Sequence, residues 1–299
     1  MSFKTGIDLG GTKTEIVVLD PGNQPIYRKR VATPAGRYSD IIHLLDQLVR
    51  GAESELQVAT VVGIGVPGAI SPQTGLMRNA NTVSLNGKPL LQDLERQLER
   101  RIRIENDANC FVLSEALNGA AANFETVFGV IIGTGTGGGL VVNRKLLNGP
   151  HSIAGEWGHN PLPWLTAEDG NTQCYCGKQG CVETYLSGPG MAASYQALTG
   201  RLMDSDAIVA ASQQQDRDAL VVLNRYFDQL SRALAHVINI LDPHAIVLGG
   251  GMSNIEAIYE AVPRRLPQYV FSDFVNVPVL RAELGDASGV FGAAMLCSD

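Results

Sequence analysis

Two stretches of the chain share one plan: FKTGIDLGGTKTEIVVL at 3–19 and TVFGVIIGTGTGGGLVVN at 126–143. Each is an apolar, β-branched run, a glycine-rich corner and a second apolar run, which reads as two strands joined at a bend. Phe3 to Leu9 and Glu15 to Leu19 form the first pair, around Gly10, Gly11 and Thr12, and a third strand is expected near Ile26 to Val31. Thr126 to Ile132 and Leu140 to Asn143 form the second pair, around Gly133 to Gly139. The chain therefore reads as one α/β unit duplicated. Glycine corners let backbone N–H groups approach an anion, Thr12 adds a hydroxyl, and Asp8 could hold a hydrated Mg²⁺. Two such corners suggest two jaws closing on one polyphosphate; the competing reading is a pair of hairpin turns or β-bends, with Lys13 merely solvated. The first corner is not a Walker loop, because Gly-Lys-Ser/Thr is missing and a strand, not a helix, follows. Gly133-x-Gly135-x-x-Gly138 has the spacing of a dinucleotide fingerprint, but a strand rather than a helix follows it.

Between the two corners, Ser39 to Leu56 has helical spacing, Val58 to Val66 reads as a buried central strand, and Pro67-Gly68 ends it. A long passage from Ala69 to Gly87, holding Asn79 and Asn81, precedes a helix at Leu90 to Arg100; loops of this length are often functional. Ile102 to Glu105 is a short strand, and Asn106-Asp107 falls at its end, before a helix from Ala108 to about Ala116. Ligands of open α/β sheets collect at such strand ends. Asp107 could cap that helix, and it could equally serve as a general base toward an alcohol.

Downstream of the second corner, AGEWGHNPLPW begins at Ala154 and CYCGKQGCVE ends at Glu183. Cys174, Cys176, Cys181 and His159 offer soft and borderline ligands suited to a closed tetrahedral Zn²⁺ site, with Gly177 and Gly180 allowing a tight loop. A disulfide or a core histidine is the bland reading. Glu156 lies three residues before His159, so one turn could aim both side chains the same way. Helices are expected at Met191 to Leu198, Asp204 to Ser212 and Ala219 to Leu241, and a buried strand at Ala245 to Leu248. Gly249, Gly250 and Gly251 then permit close approach to a flat ligand or a neighbouring helix, before a helix capped by Ser253 or Asn254. A closing helix follows Gly285 to Gly289.

Composition narrows the classes. With 299 residues, 45% of them apolar, the chain has material for more than one core. Its net charge of −7 and the lack of Lys/Arg runs argue against nucleic-acid binding. No apolar run approaches the length of a membrane span, and the N-terminus lacks the features of a signal peptide, so a cytoplasmic protein is expected. Five cysteines are then expected to be thiols or metal ligands, Cys110 and Cys297 by packing alone.

IDLGGTKTE at Ile7 to Glu15, ENDANC at Glu105 to Cys110, IIGTGTGGGL at Ile131 to Leu140, GEWGH at Gly155 to His159 and CYCGKQGC at Cys174 to Cys181 occur together and in this order. They resemble the ROK family of sugar kinases and repressors, from Ile7 to about Gly292. WGHNPLPW at Trp157 to Trp164, CYCGKQGCVET and LDPHAIVLGGGMSN look closest to its bacterial fructokinases of the manno(fructo)kinase type. The resemblance implies an actin-like, two-lobed fold of duplicated α/β domains: residues 1–117 with 286–299 returning to them, and 118–285 carrying the zinc loop. Carried over by motif, Asp107 is the base, and Asn106, Asp107, Glu156, His159 and Glu183 hold the sugar, with Gly68 and Asn81. Gly6, Asp8, Gly10, Gly11, Thr12 and Lys13, with Gly133, Thr134, Gly135, Thr136, Gly137, Gly138 and Gly139, hold the nucleotide's phosphates; Gly249, Gly250 and Gly251 face its adenosine. Asp8 acts through Mg²⁺ and a water. His159 serves zinc with one nitrogen while its ring borders the sugar. The implied activity is ATP-dependent phosphorylation of a hexose at its 6-hydroxyl, fructose first and mannose next, by a homodimer. The alternatives are a kinase for N-acetylglucosamine or glucose, or a sugar-responsive regulator; the latter carry an N-terminal winged helix for which the first strand, near residue 3, leaves no room.

Overall fold

The duplicated pattern becomes two five-stranded sheets of identical plan in the computed structural model, which describes residues 2–297. The first half runs β1 (Phe3–Leu9), β2 (Lys13–Leu19), β3 (Pro25–Ala32), α1 (Tyr38–Leu56), β4 (Thr60–Val66), a ribbon of β5 (Ala69–Ile70) and β6 (Met77–Arg78), α2 (Leu90–Leu98), β7 (Ile102–Asn106) and α3 (Asp107–Asn118). The second runs β8 (Val127–Ile132), β9 (Thr136–Val142), β10 (Lys145–Leu146), α4 (Glu183–Leu186), α5 (Gly188–Thr199), α6 (Ser205–Gln213), α7 (Arg217–Leu241), β11 (Ala245–Gly249), α8 (Ile258–Arg265), β12 (Val279–Arg281) and α9 (Ser288–Met295). Strand order is β3-β2-β1-β4-β7 in one sheet and β10-β9-β8-β11-β12 in the other. In both, the first three strands pair antiparallel and the next two join parallel. The fold is the duplicated, actin-like α/β architecture. No helix among the described residues is long and apolar enough to cross a membrane.

The two halves exchange helices. α3, which follows the first sheet, packs on β8 and β9 of the second, while α9, which ends the chain, packs on β1, β2 and β4 of the first. Their contact with each other builds a core shared by both halves, including Val17, Phe111, Val112, Val247 and Val290. Separate cores lie on the outer faces, under α1 and α2 in one half and around α7 in the other. α3, which a boundary at residue 117 assigns to the first half, thus packs mainly on the second. Met1, Ser298 and Asp299, within the segments expected to make up the first lobe, lie outside the described residues.

Each exchanged helix approaches its sheet over paired glycines. Gly6 and Gly63 are register partners in β1 and β4. A Cβ on Gly6 would lie 2.1 Å from the Val290 carbonyl oxygen, and one on Gly63 would lie 1.9 Å from that of Ala293. Gly129 and Gly139, partners in β8 and β9, face Val112 of α3 in the same way. Gly6 and Gly139 are therefore packing residues and do not face a phosphate, because the helix backbone occupies the space above them. Gly63→Ala should cost about 1–3 kcal/mol of stability, since the clash is with main chain that no rotamer can relieve. A shift of the denaturation midpoint of that size checks it; an unmoved midpoint means α9 has another seat.

Three local expectations differ from the structure. Asn106, not Asp107, caps α3, its side chain accepting from the Asn109 N–H at 2.9 Å. Gly251–Asn254 is a short 3-10 turn, and neither Ser253 nor Asn254 caps α8. Gly137 to Gly139 lie within β9, so the second corner is only Gly133 to Gly135, closed by Gly133 N–H donating to the Gly135 carbonyl at 2.9 Å.

Candidate functional site

Asp107 opens α3 directly after β7, so the end of the strand and the start of the helix together fix its backbone. Its Oδ1 accepts from the Ala108 N–H at 2.8 Å and from Asn106 Nδ2 at 3.0 Å. The carboxylate remains accessible from a cleft, while the protein around it raises its pKa by desolvation; the Ala108 N–H opposes this and the charge of Glu156 adds to it. That upward push is strongest when a ligand displaces the remaining water. Asp8, at the end of β1, is raised to about 6 by burial, then by Asp107 and Glu15, with Arg30 opposing.

Asp107 stands where two cavities meet. One, of about 450 Å³, is lined by Asp8, Gly10 and Gly11 from the first corner, by Gly249, Gly250 and Gly251, and by Phe111, Asn254 and Arg281. The other, of about 640 Å³, is lined by Gly68, Asn79, Thr134, Gly135, Tyr175 and Glu183. Pro67, Asn81 and Asp107 line both. Gly251 is open enough that a Cβ would meet nothing within 4 Å, whereas Gly250 has φ +84° and packs on the Ile132 carbonyl, and Gly249 packs on the Phe111 ring. Glu183 starts α4, and its Oε2 accepts from the Thr136 N–H at 3.0 Å, which ties the second corner to that carboxylate.

The remaining predicted residues are more scattered. Asn106 and Glu156 line a third, small cavity with Glu105 and Asn109. Thr12 and Lys13 are exposed at the start of β2 and line none of the three. Glu156 precedes a 3-10 turn, Trp157–His159, and the two side chains expected to point together diverge: Glu156 to the small cavity, His159 into the cysteine cluster. The outer nitrogen of His159 meets the Tyr175 hydroxyl at 3.1 Å, and Tyr175, together with Cys174, lines the larger cavity in its place. Tyr175, Pro67, Phe111 and Arg281 were not singled out from sequence. Tyr175 had a signal, an aromatic residue between two metal-ligand candidates; Arg281 had none.

The ligand atoms of His159, Cys174, Cys176 and Cys181 all lie within 4.8 Å of one another. Cys176 Sγ and Cys181 Sγ are 3.6 Å apart, and Cys174 Sγ and His159 Nδ1 are 3.7 Å apart. A tetrahedron with Zn–S of about 2.3 Å and Zn–N of about 2.0–2.1 Å has edges of roughly 3.6–3.8 Å. A disulfide needs about 2.05 Å, so the donor set fits zinc and not a cystine. Asp8 fits Mg²⁺ in a different way: one carboxylate, raised in pKa beside a second, suits a cation that keeps most of its waters and binds substrate phosphates.

The chain is 40% identical over 296 residues to an N-acetyl-D-glucosamine kinase of Pectobacterium atrosepticum, covering 97% of each chain. Among solved structures it resembles a ROK hexokinase from Thermus thermophilus with a TM-score of 0.87 at 30% identity, over 98% of this chain and 97% of that one. It also resembles a ROK family glucokinase from Streptomyces griseus, solved with glucose and AMPPNP, with a TM-score of 0.75 at 27% identity over 98% of both. A family model matches residues 4–299, and the chain belongs to the ROK family.

Proposed function

We propose that this protein is an ATP-dependent sugar kinase whose acceptor is an N-acetylated hexosamine, N-acetyl-D-glucosamine first. The observation that carries the kinase reading is the position of Asp107, the one carboxylate common to the two cavities, the first lined by Gly10, Gly11 and Gly249 to Gly251 and the second by Gly68, Tyr175 and Glu183. The acceptor reading rests on the relative that is 40% identical over nearly the whole chain and is named for that sugar. The fructose preference drawn from WGHNPLPW finds no support among such relatives.

In this mechanism Asp107 accepts the proton of the attacking 6-hydroxyl, contributing about 10²- to 10⁴-fold. Gly11 and the Thr134-Gly135 tip offer backbone N–H groups to the phosphates, those of Gly10 and Gly133 being spent on the Lys13 and Gly135 carbonyls that close the two corners, and Gly249 to Gly251 form the floor for the nucleoside. Asn106, Glu156 and Glu183 orient the sugar's other hydroxyls. Mg²⁺, held through Asp8, would neutralise developing charge on the transferring phosphoryl group. The transition state of phosphoryl transfer is loose, so positioning and charge neutralisation supply most of the acceleration. Closure of the lobe of residues 1–117 and 286–299 on that of 118–285 would exclude water as a competing acceptor.

The test is ADP release with Mg²⁺-ATP over N-acetylglucosamine, N-acetylmannosamine, glucose, mannose and fructose, with product mass checked for one added phosphate. Fastest turnover on N-acetylglucosamine supports the reading. Fructose as the best substrate would reinstate the sequence expectation, and silence on all five sugars would sink the kinase.

Zinc in the cysteine cluster would brace the loop that carries Tyr175 into the cleft. Loss of an outer-shell partner already costs about 10- to 100-fold in metal affinity, so Cys176→Ser should lose at least that much. Sugar KM should rise with it, read by metal analysis and steady-state kinetics on one preparation. A zinc-free variant with native KM would uncouple loop and site.

A further inference from the structure

β7 and β10 are edge strands, one in each sheet, and they border a cavity of about 660 Å³ that takes no part in the mechanism above. It shares no lining residue with either cavity that meets at Asp107. Both halves build it: α2 and β7 from one side, β10 and the turn before it from the other. The exchanged helices add Leu113, Leu117 and Leu296 as an apolar floor. The size is that of a small-molecule site.

The charges around it are one-sided. Arg103, Arg144 and Lys145 line the cavity and are exposed, and among the described residues none of the three forms an ion pair with a carboxylate. This occurs in a chain of net charge −7, where acidic side chains outnumber basic ones. Glu105 is the one carboxylate in the lining. Its oxygens already accept from Asn109 Nδ2 at 3.2 Å and from Asn148 Nδ2, and burial raises its pKa. Cations of one sign around a concave wall raise the local concentration of anions. Arg144 adds an independent observation. Asn143 and Arg144 form the two-residue turn between β9 and β10, with Val142 opposite Lys145, and their φ angles are +52° and +61°. Such turns favour Asn followed by Gly. Asn143 follows that preference and Arg144 departs from it, a departure typical of functional positions. Its Nη1 donates to the Ala122 carbonyl at 2.7 Å, which steadies the side chain.

We propose that this cavity binds a phosphorylated small molecule with an apolar body, and that its occupant slows turnover by tying the two halves together. The phosphate lies between Arg103 of the first half and Arg144 and Lys145 of the second, because guanidinium groups hold phosphate oxygens in pairs. The apolar body covers Leu113, Leu117 and Leu296. A ligand held from both halves favours the arrangement in which its contacts are made, and so opposes the lobe movement of each catalytic cycle. β7 carries the effect to the base, because the strand runs from Ile102 to Asn106 and Asp107 follows it. The effect on turnover rests on the kinase reading given above; the binding does not.

The probe is phenyl phosphate, with inorganic phosphate as the anion that lacks an apolar body. Calorimetry on protein holding Mg²⁺-AMPPNP, which fills the phosphate sites of the cleft, should show one phenyl phosphate per chain. It should bind at least about tenfold more tightly than inorganic phosphate. Arg103→Gln and Arg144→Gly should each weaken it at least about tenfold. Glycine adopts φ +61° freely, so the turn survives the second substitution. No binding to the native protein, or native affinity in both variants, overturns the site. Tighter binding of tetraglutamate than of phenyl phosphate makes the gap between the edge strands a peptide-docking surface and overturns it too. In steady-state kinetics phenyl phosphate should lower kcat of the native protein with the KM for ATP unchanged, and should leave Arg103→Gln unaffected at the same concentration. Inhibition relieved by ATP places the probe in the cleft and overturns the proposal. Silence on every sugar sinks the kinase reading alone, and calorimetry still decides the site.

Discussion

Asp107→Asn should bind sugar and nucleotide with near-native affinity and turn over about 10²- to 10⁴-fold more slowly. The substitution keeps the side-chain oxygen that accepts from the Ala108 N–H at 2.8 Å, so the start of α3 is undisturbed. It removes the proton acceptor and one negative charge facing Asp8. In the native protein the active form of Asp107 is the carboxylate, and both desolvation and Glu156 raise its pKa. Activity is therefore present above that raised pKa and is lost as pH falls through it, at a pH higher than for an ordinary carboxylic acid. Asp8, at about 6 without a cation, titrates in the same direction. Saturating Mg²⁺ should lower the Asp8 limb and leave that of Asp107, which separates them. Calorimetric sugar affinity and single-turnover rates check the variant: near-native kcat removes Asp107 from the role of base, and lost sugar affinity makes it a binding residue instead.

Much of the architecture was legible because glycine corners and β-branched runs are local signals, and their recurrence at 3–19 and 126–143 gives the duplication. The cysteine cluster was legible for the same reason, since Cys174, Cys176 and Cys181 lie within one loop. What could not be read was which glycines face a ligand and which face a helix. Gly6 and Gly139 sit in the same motifs as Gly10 and Gly135, yet they serve the crossing of α9 and α3, a contact made between parts of the chain remote in sequence. The direction of His159 was missed because a 3-10 turn does not keep the side-chain spacing of an α-helix.

Arg232→Met should cost about 3–5 kcal/mol of stability, the usual penalty for stranding one partner of a buried ion pair. The Arg232 side chain is 2% exposed and that of Asp169 1%. The two pair through Nη2 at 2.8 and 3.0 Å, while Nη1 donates to the Pro163 and Trp164 carbonyls and Nε to Asp228. A single guanidinium thus pins the segment that precedes the zinc loop onto the middle of α7, which is why that helix is buried on nearly every face from Gln229 to Ala235. Burial alone would raise the Asp169 pKa; hydrogen bonds from Arg232, Thr166 and Gln229 outweigh it and lower it to about 2. Its contribution to stability is complete above the unfolded pKa, about 3.9, and is lost as pH falls toward 2. In Arg232→Met the stranded carboxylate takes up a proton more readily, so the deficit relative to the native protein should narrow on acidification. Denaturation midpoints at pH 7 and pH 5 test the size and the sign together. Arg232→Met with Asp169→Leu should recover much of the loss, because the cost lies in the unpaired charge and not in the absent bond. A double variant as unstable as the single one would place the cost in packing around α7, and the pin would not then explain how the loop bearing Cys174 and Tyr175 is held against the cleft.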